Sequence, residues 1–327
     1  MIGQKRIALI GSGAIAEAHK TAMDTVGLSV VHCASSPRSK TIGHFADRMR
    51  IPNIWEDPLK LLHASDQWDG VIIASSINST QKLLDIAILQ NKPILVEKPV
   101  GNSSLQLSKY KIFPPPSVMV GFNRRHYSTV LKAKEFVKDQ SSCIRASINL
   151  PEQVFSDNEE PYAPVLYNSI HGLDILRFLL GDIELLHVEQ HPVDPLFGRV
   201  AIAKSSQGHI CSINLNWNSP AKFSLTLESA DSRILLEPFE TYQHYHGMTI
   251  SEPTKSYPVR KYSPTEIHAF NVFDNQKNDI KPGFLGQSLE YKRLVEGFQT
   301  PSISANLKDA YNALNMAEEL IEGGTVK

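Results

Sequence analysis

The chain has 327 residues, 42% of them apolar, and a formal net charge of −1. That length supports two domains of ordinary size, each with its own core. The near-neutral balance gives no electrostatic reason to expect nucleic acid or an anionic membrane surface as a partner. The three cysteines lie far apart, without metal-ligand spacing, which predicts no metal site and no disulfide framework.

The first half of the chain alternates short apolar runs with helical patterns. Residues 6–13 predict a strand that breaks into a Gly-rich turn. Further strands are predicted at 28–35, 68–76, 93–97 and 117–122, with helices in AIAEAHKTAMDTV, SKTIGHFADRM and STQKLLDIAILQN. Unbroken apolar strands that alternate with helices are typical of a parallel sheet covered on both faces. This pattern predicts an N-terminal, doubly wound Rossmann sheet.

The second half has a different pattern. Alternating segments, separated by the turn-like SSQG, NSP and SADS, indicate a large, mostly antiparallel sheet: CIRASINL, LLHVEQH, RVAIAKSS, GHICSINLNWN, KFSLTLES and RILLEP. Helices are predicted at 126–140, at 167–182 and at 304–324. The predicted fold class is therefore α/β, with the Rossmann domain followed by an α/β domain that has an open, mostly antiparallel sheet.

Localisation is predicted from the same residues. The start, MIGQKRIALIGSG, lacks the segment order of a signal peptide. No apolar run approaches the roughly 20 residues that a membrane helix needs. We expect a cytoplasmic protein with no membrane partner.

The stretch GSGAIA follows a predicted strand and opens a predicted helix, which is the context of a dinucleotide fingerprint. Gly11 permits the tight turn, and Gly13 lets a pyrophosphate approach the main chain. Ala16 allows close packing of the helix on the strand. The first N–H groups of the helix, at Ala14 and Ile15, then face the phosphates. A tight turn without a ligand is the alternative.

The residues after the second strand bear on which dinucleotide binds. An NAD site normally has an acidic residue about 20 positions after the turn. No Asp or Glu lies between Asp24 and Asp47. In its place stand residues that suit a 2′-phosphate: Ser35, Ser36, Arg38 and Lys40. The pattern favours NADP, with NAD possible, unless these residues form only a solvated loop.

Four motifs, in order, carry a resemblance to a known family. The stretches GSGAIA, VEKP, VGFNRRHYSTV and SIHGLDILRFLLGD are similar to those of the Gfo/Idh/MocA oxidoreductases, the family of glucose-fructose oxidoreductase and inositol dehydrogenase. The resemblance covers most of the chain, including GHICSINLNW and SLTLESADSRILLEP. It implies a Rossmann domain at 1–121, a substrate-binding and oligomerisation domain at 122–303, and a C-terminal helix at 304–327 that returns toward the Rossmann domain.

The resemblance also implies an active-site lysine, which corresponds to Lys98. A lysine at the carboxyl end of a parallel strand lies where α/β sheets bind ligands. There it can stabilise the alkoxide that develops on the substrate during hydride transfer. Glu97 is predicted to orient Lys98 or to contact the nicotinamide ribose. A solvated ion pair at a strand end is the alternative.

A second catalytic residue is predicted at His171, because histidine titrates near neutrality and can accept a hydroxyl proton. In the family an H-x-x-D helix carries this histidine, with an aspartate four residues before it. This chain has Tyr167 there, followed by Asn168, which is a predicted substrate contact. Either His171 is a weaker base or Tyr167 shares the proton transfer. A satisfied, buried histidine is the alternative.

Two further segments are expected to contact ligands. The loop IASSINST corresponds to a dinucleotide-binding loop, so Ser75 and Asn78 are predicted cofactor contacts. This loop departs from the family pattern, because proline and histidine are common where Ser76 and Thr80 stand here. Asn123 and Arg124 correspond to positions that face cofactor and substrate, or they cap the helix at 126–140.

These features favour an NAD(P)-dependent oxidoreductase that moves a hydride between nicotinamide and a secondary alcohol or ketone of a sugar, polyol or nucleotide-sugar. A related possibility is reduction of an imine or conjugated double bond. The alternative from another class is a non-catalytic, dinucleotide- or sugar-sensing regulator. The presence of both Lys98 and His171 favours the enzyme, whereas the missing aspartate favours the regulator. The family resemblance also implies a homodimer or homotetramer formed through the C-terminal sheet.

Overall fold

A computed structural model describes residues 4–153, 164–190, 198–274, 280–299 and 303–323. The chain forms two compact units. Unit 1 comprises Met1–His126 and Lys277–Glu318, and unit 2 comprises Tyr127–Gln276 and Glu319–Lys327. Lys277–Glu318 thus belongs to unit 1, whereas the sequence predicted that the second domain extends to residue 303.

The strands and helices of the described residues are as follows, in chain order. The strands are β1 Arg6–Ile10, β2 Ser29–Ala34, β3 Asn53–Trp55, β4 Gly70–Ile73, β5 Ile94–Val96, β6 Val118–Val120, β7 Arg145–Asn149, β8 Ile183–Gln190, β9 Arg199–Ser205, β10 Ile210–Leu215, β11 Ser224–Glu228, β12 Ser232–Leu236, β13 Thr241–Ser251 and β14 Lys261–Asn271. The helices are α1 Ala14–Thr25, α2 Ile42–Met49, α3 Pro58–His63, α4 Ile77–Ile88, α5 Ser128–Asp139, α6 Ile170–Leu180, α7 Phe284–Val295 and α8 Leu307–Glu322. Among them, no helix is both long and apolar enough to cross a membrane.

Unit 1 is built on a six-stranded sheet with the order β3-β2-β1-β4-β5-β6. Its strand pairs are all parallel, so their carboxyl ends share one edge. Strands β1, β4, β5 and β6 are almost fully buried, which accounts for their unbroken apolar sequences. The strand order reverses between β1 and β4, where such sheets bind ligands. The predicted Rossmann sheet is confirmed.

Helices α1 and α7 belong to unit 1 and cover part of its sheet. The core includes Met23 and Phe45 together with Tyr291 of α7. The Tyr291 hydroxyl donates toward the carbonyl of Val71 at 3.0 Å, so α7 is anchored to the sheet. Helix α8 begins in the same unit, and Glu318 accepts a hydrogen bond from the main chain of Ser104 at 2.7 Å.

Unit 2 is built on an eight-stranded sheet with the order β14-β13-β12-β11-β7-β10-β9-β8. Its pairs are antiparallel except for β7 with β10, so the mostly antiparallel prediction is confirmed. The alternation in β10 places Cys211, Ile213 and Leu215 on the buried face. On the other face, Val200 and Ile202 of β9 are 52% and 44% exposed.

Candidate active site

The first turn of unit 1 is held by main-chain contacts at the carboxyl edge of the sheet. Gly11 has φ +124°, a conformation that favours glycine. A side chain there would bring its Cβ within 2.1 Å of the carbonyl oxygen of Ala74. The Gly11 N–H donates to Ala34 at 2.8 Å, and the Ala74 N–H donates to Ile10 at 2.7 Å. Gly11 therefore fixes the junction of β1, β2 and β4.

The second glycine of the turn has a different role. Gly13 is the N-cap of α1 in extended conformation, and it forms no side-chain cap. A Cβ at this position would meet nothing within 4 Å, so the space beside it is open. Ala14 and Ile15 are exposed, whereas Ala16 is fully buried. Uncapped N–H groups beside open space fit the pyrophosphate of a dinucleotide.

The loop after β2 lies beside this turn. The Ser12 hydroxyl donates to the Ser35 hydroxyl at 3.4 Å, which links the loop to the glycine turn. Ser36 and Arg38 are exposed, and the Arg38 N–H donates to the Ser36 hydroxyl at 3.4 Å. Lys40 is also exposed. The structure thus brings Ser35 to the turn and leaves Arg38 and Lys40 accessible to a ligand.

Several polar side chains at the junction of β4 and α4 are hydrogen-bonded. The Ser75 hydroxyl lies 3.0 Å from the hydroxyl of Thr80, which is almost fully buried. Asn78 is exposed, and its Oδ1 accepts from Asn102 at 3.3 Å. Ser76 is the N-cap of α4. The Thr80 side chain therefore supports the loop from beneath, at a position where the family commonly has a histidine.

Glu97 and Lys98 follow β5 at the same edge of the sheet. Both are partly buried, and the Lys98–Pro99 peptide bond is cis. Oε1 of Glu97 lies 2.7 Å from Nε2 of His19, and Oε2 accepts the Lys98 N–H at 3.2 Å. Strand β5 is the neighbour of β4, which pairs with β1. Lys98 and the glycine turn therefore occupy the carboxyl ends of nearby strands in one unit. Sequence reasoning missed His19, because nothing in its spacing marks it.

The segment after β6 was predicted to contact ligands or to cap a helix. Asn123 is buried, and its Nδ2 donates to the carbonyl of Pro282 at 2.9 Å. This contact gives Asn123 a structural role other than the predicted helix cap. Arg124 is partly buried. The neighbouring Arg125 pairs with Asp309 at 3.3 Å. Burial, together with the charge of Arg125, lowers the pKa of His126 to about 4.

The helix start in unit 2 differs from its prediction. The sequence predicts one helix from Tyr167 to its glycine stop, with Tyr167 on the same face as His171 and Asp174. Helix α6 is instead preceded by a π-helical turn, Val165–Ser169, which changes the angular spacing between residues. His171 and Asp174 are buried, whereas Tyr167 is 41% exposed and Asn168 is exposed. Tyr167 is therefore more exposed than His171, which lies four positions later.

Glu152 anchors this helix start and was not predicted. It is 5% exposed, yet it carries a carboxylate. Oε2 accepts the N–H groups of Asn168 and Ser169 at 2.7 and 2.9 Å and the Ser169 hydroxyl at 3.2 Å. Oε1 accepts from Nδ2 of Asn168 at 3.2 Å. Glu152 therefore fixes the turn that precedes His171. A charged residue in the otherwise uncharged NLPEQVF was the available signal.

Unit 1 thus has the features of a dinucleotide-binding oxidoreductase domain. Within the described part of the chain, no group of three His, Cys, Asp or Glu side chains converges as a metal site. Residues 5–111 match the model of the oxidoreductase family with an NAD-binding Rossmann fold, GFO_IDH_MocA. The predicted resemblance to the Gfo/Idh/MocA family is confirmed by this match.

Relatives agree with this assignment. The inositol 2-dehydrogenase of Acidothermus cellulolyticus is 28% identical over 199 residues, 56% of this chain and 55% of that protein. The match thus spans about half the length of this relative. Myo-inositol dehydrogenase from Lactobacillus casei, solved with NAD(H) and myo-inositol, has a TM-score of 0.69 at 15% identity and covers 96% of this chain and 93% of its own. Levoglucosan dehydrogenase, solved with NADH and levoglucosan, has a TM-score of 0.71 at 13% identity, over 98% and 96% of the two chains. Both structures have the same fold as this chain.

Proposed function

We propose that the protein is an NAD(P)-dependent dehydrogenase or reductase. Its substrate would be a secondary alcohol or ketone of a sugar, polyol or nucleotide-sugar. The observation that carries this proposal is the position of Lys98 at the carboxyl end of β5, on the sheet edge that also holds the glycine turn. The names of the relatives, inositol 2-dehydrogenase and levoglucosan dehydrogenase, support a polyhydroxylated substrate.

Residues of unit 1 would hold the dinucleotide. The start of α1, at Gly13, Ala14 and Ile15, would bind the pyrophosphate through its N–H groups. Ser75 and Asn78 would contact the dinucleotide from the next loop, and Glu97 would contact the nicotinamide ribose or orient Lys98. A bound nicotinamide would supply or accept the hydride.

Lys98 would act on the substrate oxygen. Its ammonium donates a hydrogen bond to that oxygen and stabilises the negative charge that develops there during hydride transfer. The Lys98 main chain is held by Glu97, so the residue starts from a fixed position. Arg124 and Asn168 would contribute further substrate contacts. Asn123 would support this segment through its bond to Pro282.

His171 would accept the hydroxyl proton during oxidation and return it during reduction. Its burial near the start of α6 gives it a defined position. Tyr167 stands in place of the aspartate of the family, and its phenol would assist proton transfer from a more exposed position.

NADP is the proposed cofactor, with NAD as the alternative. Ser35, Ser36 and Arg38 would bind the 2′-phosphate, because no acidic residue lies between Asp24 and Asp47, where an NAD site normally has one. Arg38→Ala should raise the Kd for NADPH about tenfold and leave that for NADH unchanged, as expected from the loss of one charged hydrogen bond. Arg48→Ala is the matched control, since Arg48 pairs with Glu17 at 2.7 Å. Equal affinities for both dinucleotides in all three proteins would contradict the preference.

The activity is tested by nicotinamide absorbance with a panel of polyols, free sugars and nucleotide-sugars, using both cofactors in both directions. Lys98→Met is the control, because it removes the ammonium and keeps much of the side-chain volume. Turnover that falls by about a thousandfold in the variant, with dinucleotide affinity retained, is the expected result. Turnover that persists in Lys98→Met would refute the role of Lys98.

A dinucleotide- or sugar-sensing regulator is the second candidate. The substitution of the family's aspartate by Tyr167, whose side chain is exposed, is the observation that favours it. Tight dinucleotide binding with no turnover on the whole panel would support this candidate over the enzyme.

The proposed oligomer is a homodimer or homotetramer formed through the sheet of unit 2. Val200 and Ile202 expose apolar surface on the outer face of β9. Sedimentation velocity is the test, and a single monomeric species at micromolar concentration would contradict an oligomer.

A further inference from the structure

A buried histidine and a carboxylate meet beneath the Lys98 corner. The His19 side chain is fully buried, and its Nε2 lies 2.7 Å from Oε1 of Glu97, whose side chain is 11% exposed. His19 stands on α1, and its ring packs against Phe284 with 4.8 Å between ring centroids. A buried polar group is costly without a hydrogen bond, so this contact stabilises the buried His19 side chain.

The geometry assigns the donor. Nδ1 of His19 is buried and has no hydrogen-bond partner among the described residues. A hydrogen on Nδ1 would therefore be a buried donor without an acceptor, which is unfavourable. A hydrogen on Nε2 instead reaches the Glu97 carboxylate. The tautomer with the hydrogen on Nε2 thus fits the site, and His19 donates to Glu97.

The space around Glu97 leaves it little freedom. A Cβ at Gly121 would lie 2.7 to 2.9 Å from the carboxyl atoms of Glu97, so the carboxyl packs directly on the main chain of this glycine. The other oxygen, Oε2, accepts the Lys98 N–H at 3.2 Å. His19 therefore holds one oxygen of Glu97, and the second oxygen holds the main chain of Lys98.

One helix connects the two parts of the proposed site in unit 1. Gly13 is the N-cap of α1, and His19 follows six positions later, about 9 Å along the helix axis at the usual rise. The start of α1 and the Lys98 corner are thus tied to the same rigid element.

We propose that His19 is a positioning residue: its Nε2–H fixes Glu97, which in turn sets the main-chain position of Lys98 relative to the helix that binds the dinucleotide. This inference rests on the proposed role of Lys98. His19 itself touches no substrate in this proposal, so it is not a catalytic residue.

Two variants separate the hydrogen bond from packing. His19→Gln keeps an N–H donor near the position of Nε2 but loses the ring. His19→Phe keeps a ring against Phe284 but loses the donor. We expect His19→Phe to lower kcat about a hundredfold with dinucleotide Kd unchanged, because small displacements of a reacting group are costly. His19→Gln should retain most of the activity.

Two readouts do not require turnover. In ¹⁵N-histidine NMR spectra, the His19 signal should show hydrogen on Nε2, and it should shift in Glu97→Gln. The rate at which Lys98 reacts with an acylating reagent, followed by mass spectrometry, should change in His19→Phe and not in His19→Gln. The exposed Lys60 provides an internal reference for the reagent.

The outcomes distinguish the two proposals. Changed Lys98 reactivity without turnover in the wild type would leave His19 as a positioning residue and refute the dehydrogenase. Normal kcat and unchanged Lys98 reactivity in a folded His19→Phe would refute the positioning role and leave the dehydrogenase intact. Impaired activity in His19→Gln with normal activity in His19→Phe would show that the ring contact, not the donor, matters, and would refute the positioning role. If His19→Phe fails to fold, hydrogen on Nδ1 in the wild-type spectrum overturns the proposal.

Discussion

The two units hold their candidate residues in different ways. In unit 1, the residues follow the ends of parallel strands. The Gly11 N–H donates to the main chain of β2, and the Lys98 N–H donates to the carboxylate of the adjacent Glu97. In unit 2, His171 follows a π-helical turn that depends on the side chain of Glu152. Positions in unit 1 thus depend on strand ends and on a carboxylate next in sequence, whereas in unit 2 they depend on a buried carboxylate 16 to 17 residues away.

This difference has a physical consequence. A site built on strand ends inherits the rigidity of a buried sheet. A site at a helix start depends on how the first N–H groups of the helix are satisfied. We therefore expect substitutions in unit 1 to separate cleanly into effects on folding and on ligand binding. Substitutions near His171 should instead affect folding and ligand binding together.

The largest effect is expected in unit 2, at His171. His171→Gln should lower kcat about a thousandfold, because it removes the group that accepts the substrate proton. Tyr167→Phe should lower kcat by about tenfold or less, since Tyr167 is exposed and would only assist proton transfer. Steady-state rates with saturating cofactor measure both. A larger loss in Tyr167→Phe than in His171→Gln would mean that Tyr167 is the principal base.

The sequence predicted unit 1 far better than the start of α6. The fingerprint around Gly11 and the charged pair after β5 follow directly from apolar strands that end in unusual residues. The π-helical turn before His171 depends instead on Glu152, which reaches it from another segment. Local sequence patterns do not predict a contact between segments that are distant in the chain. For the same reason, the partnership of His19 with Glu97, which lies 78 residues away, could not be predicted.

The next largest effect is expected in unit 1, where Gly11 is replaced. Gly11→Ala would place a Cβ 2.1 Å from a main-chain oxygen at φ +124°. Neither strain is relieved by a side-chain rotation, so the free energy of unfolding should fall by at least about 3 kcal/mol. Urea unfolding measures this loss. A variant as stable as the wild type would show that the turn adjusts and that the sheet edge is not rigid.

The corresponding change in unit 2 is Glu152→Gln. The amide removes the charge and replaces one acceptor by a donor that faces N–H groups, so we expect a loss of about 2 kcal/mol in the free energy of unfolding. Unlike Gly11→Ala, this variant should also lower kcat, because the turn before His171 loosens. Glu184→Gln, on the exposed surface of β8, is the control. A loss of stability with unchanged kcat in Glu152→Gln would contradict the expected link between folding and activity near His171.

The smallest effect is expected at Gly13, two residues from Gly11 in the same turn. Its φ is −88° and a Cβ would meet no atom within 4 Å, so Gly13→Ala should leave the free energy of unfolding unchanged. The added methyl group would occupy the space proposed for the pyrophosphate, and the dinucleotide Kd should rise about tenfold. Fluorescence titration with NADPH and NADH measures this change. Because Gly11 should affect only folding and Gly13 only binding, unchanged affinity in Gly13→Ala would mean that the open space beside α1 does not receive the dinucleotide.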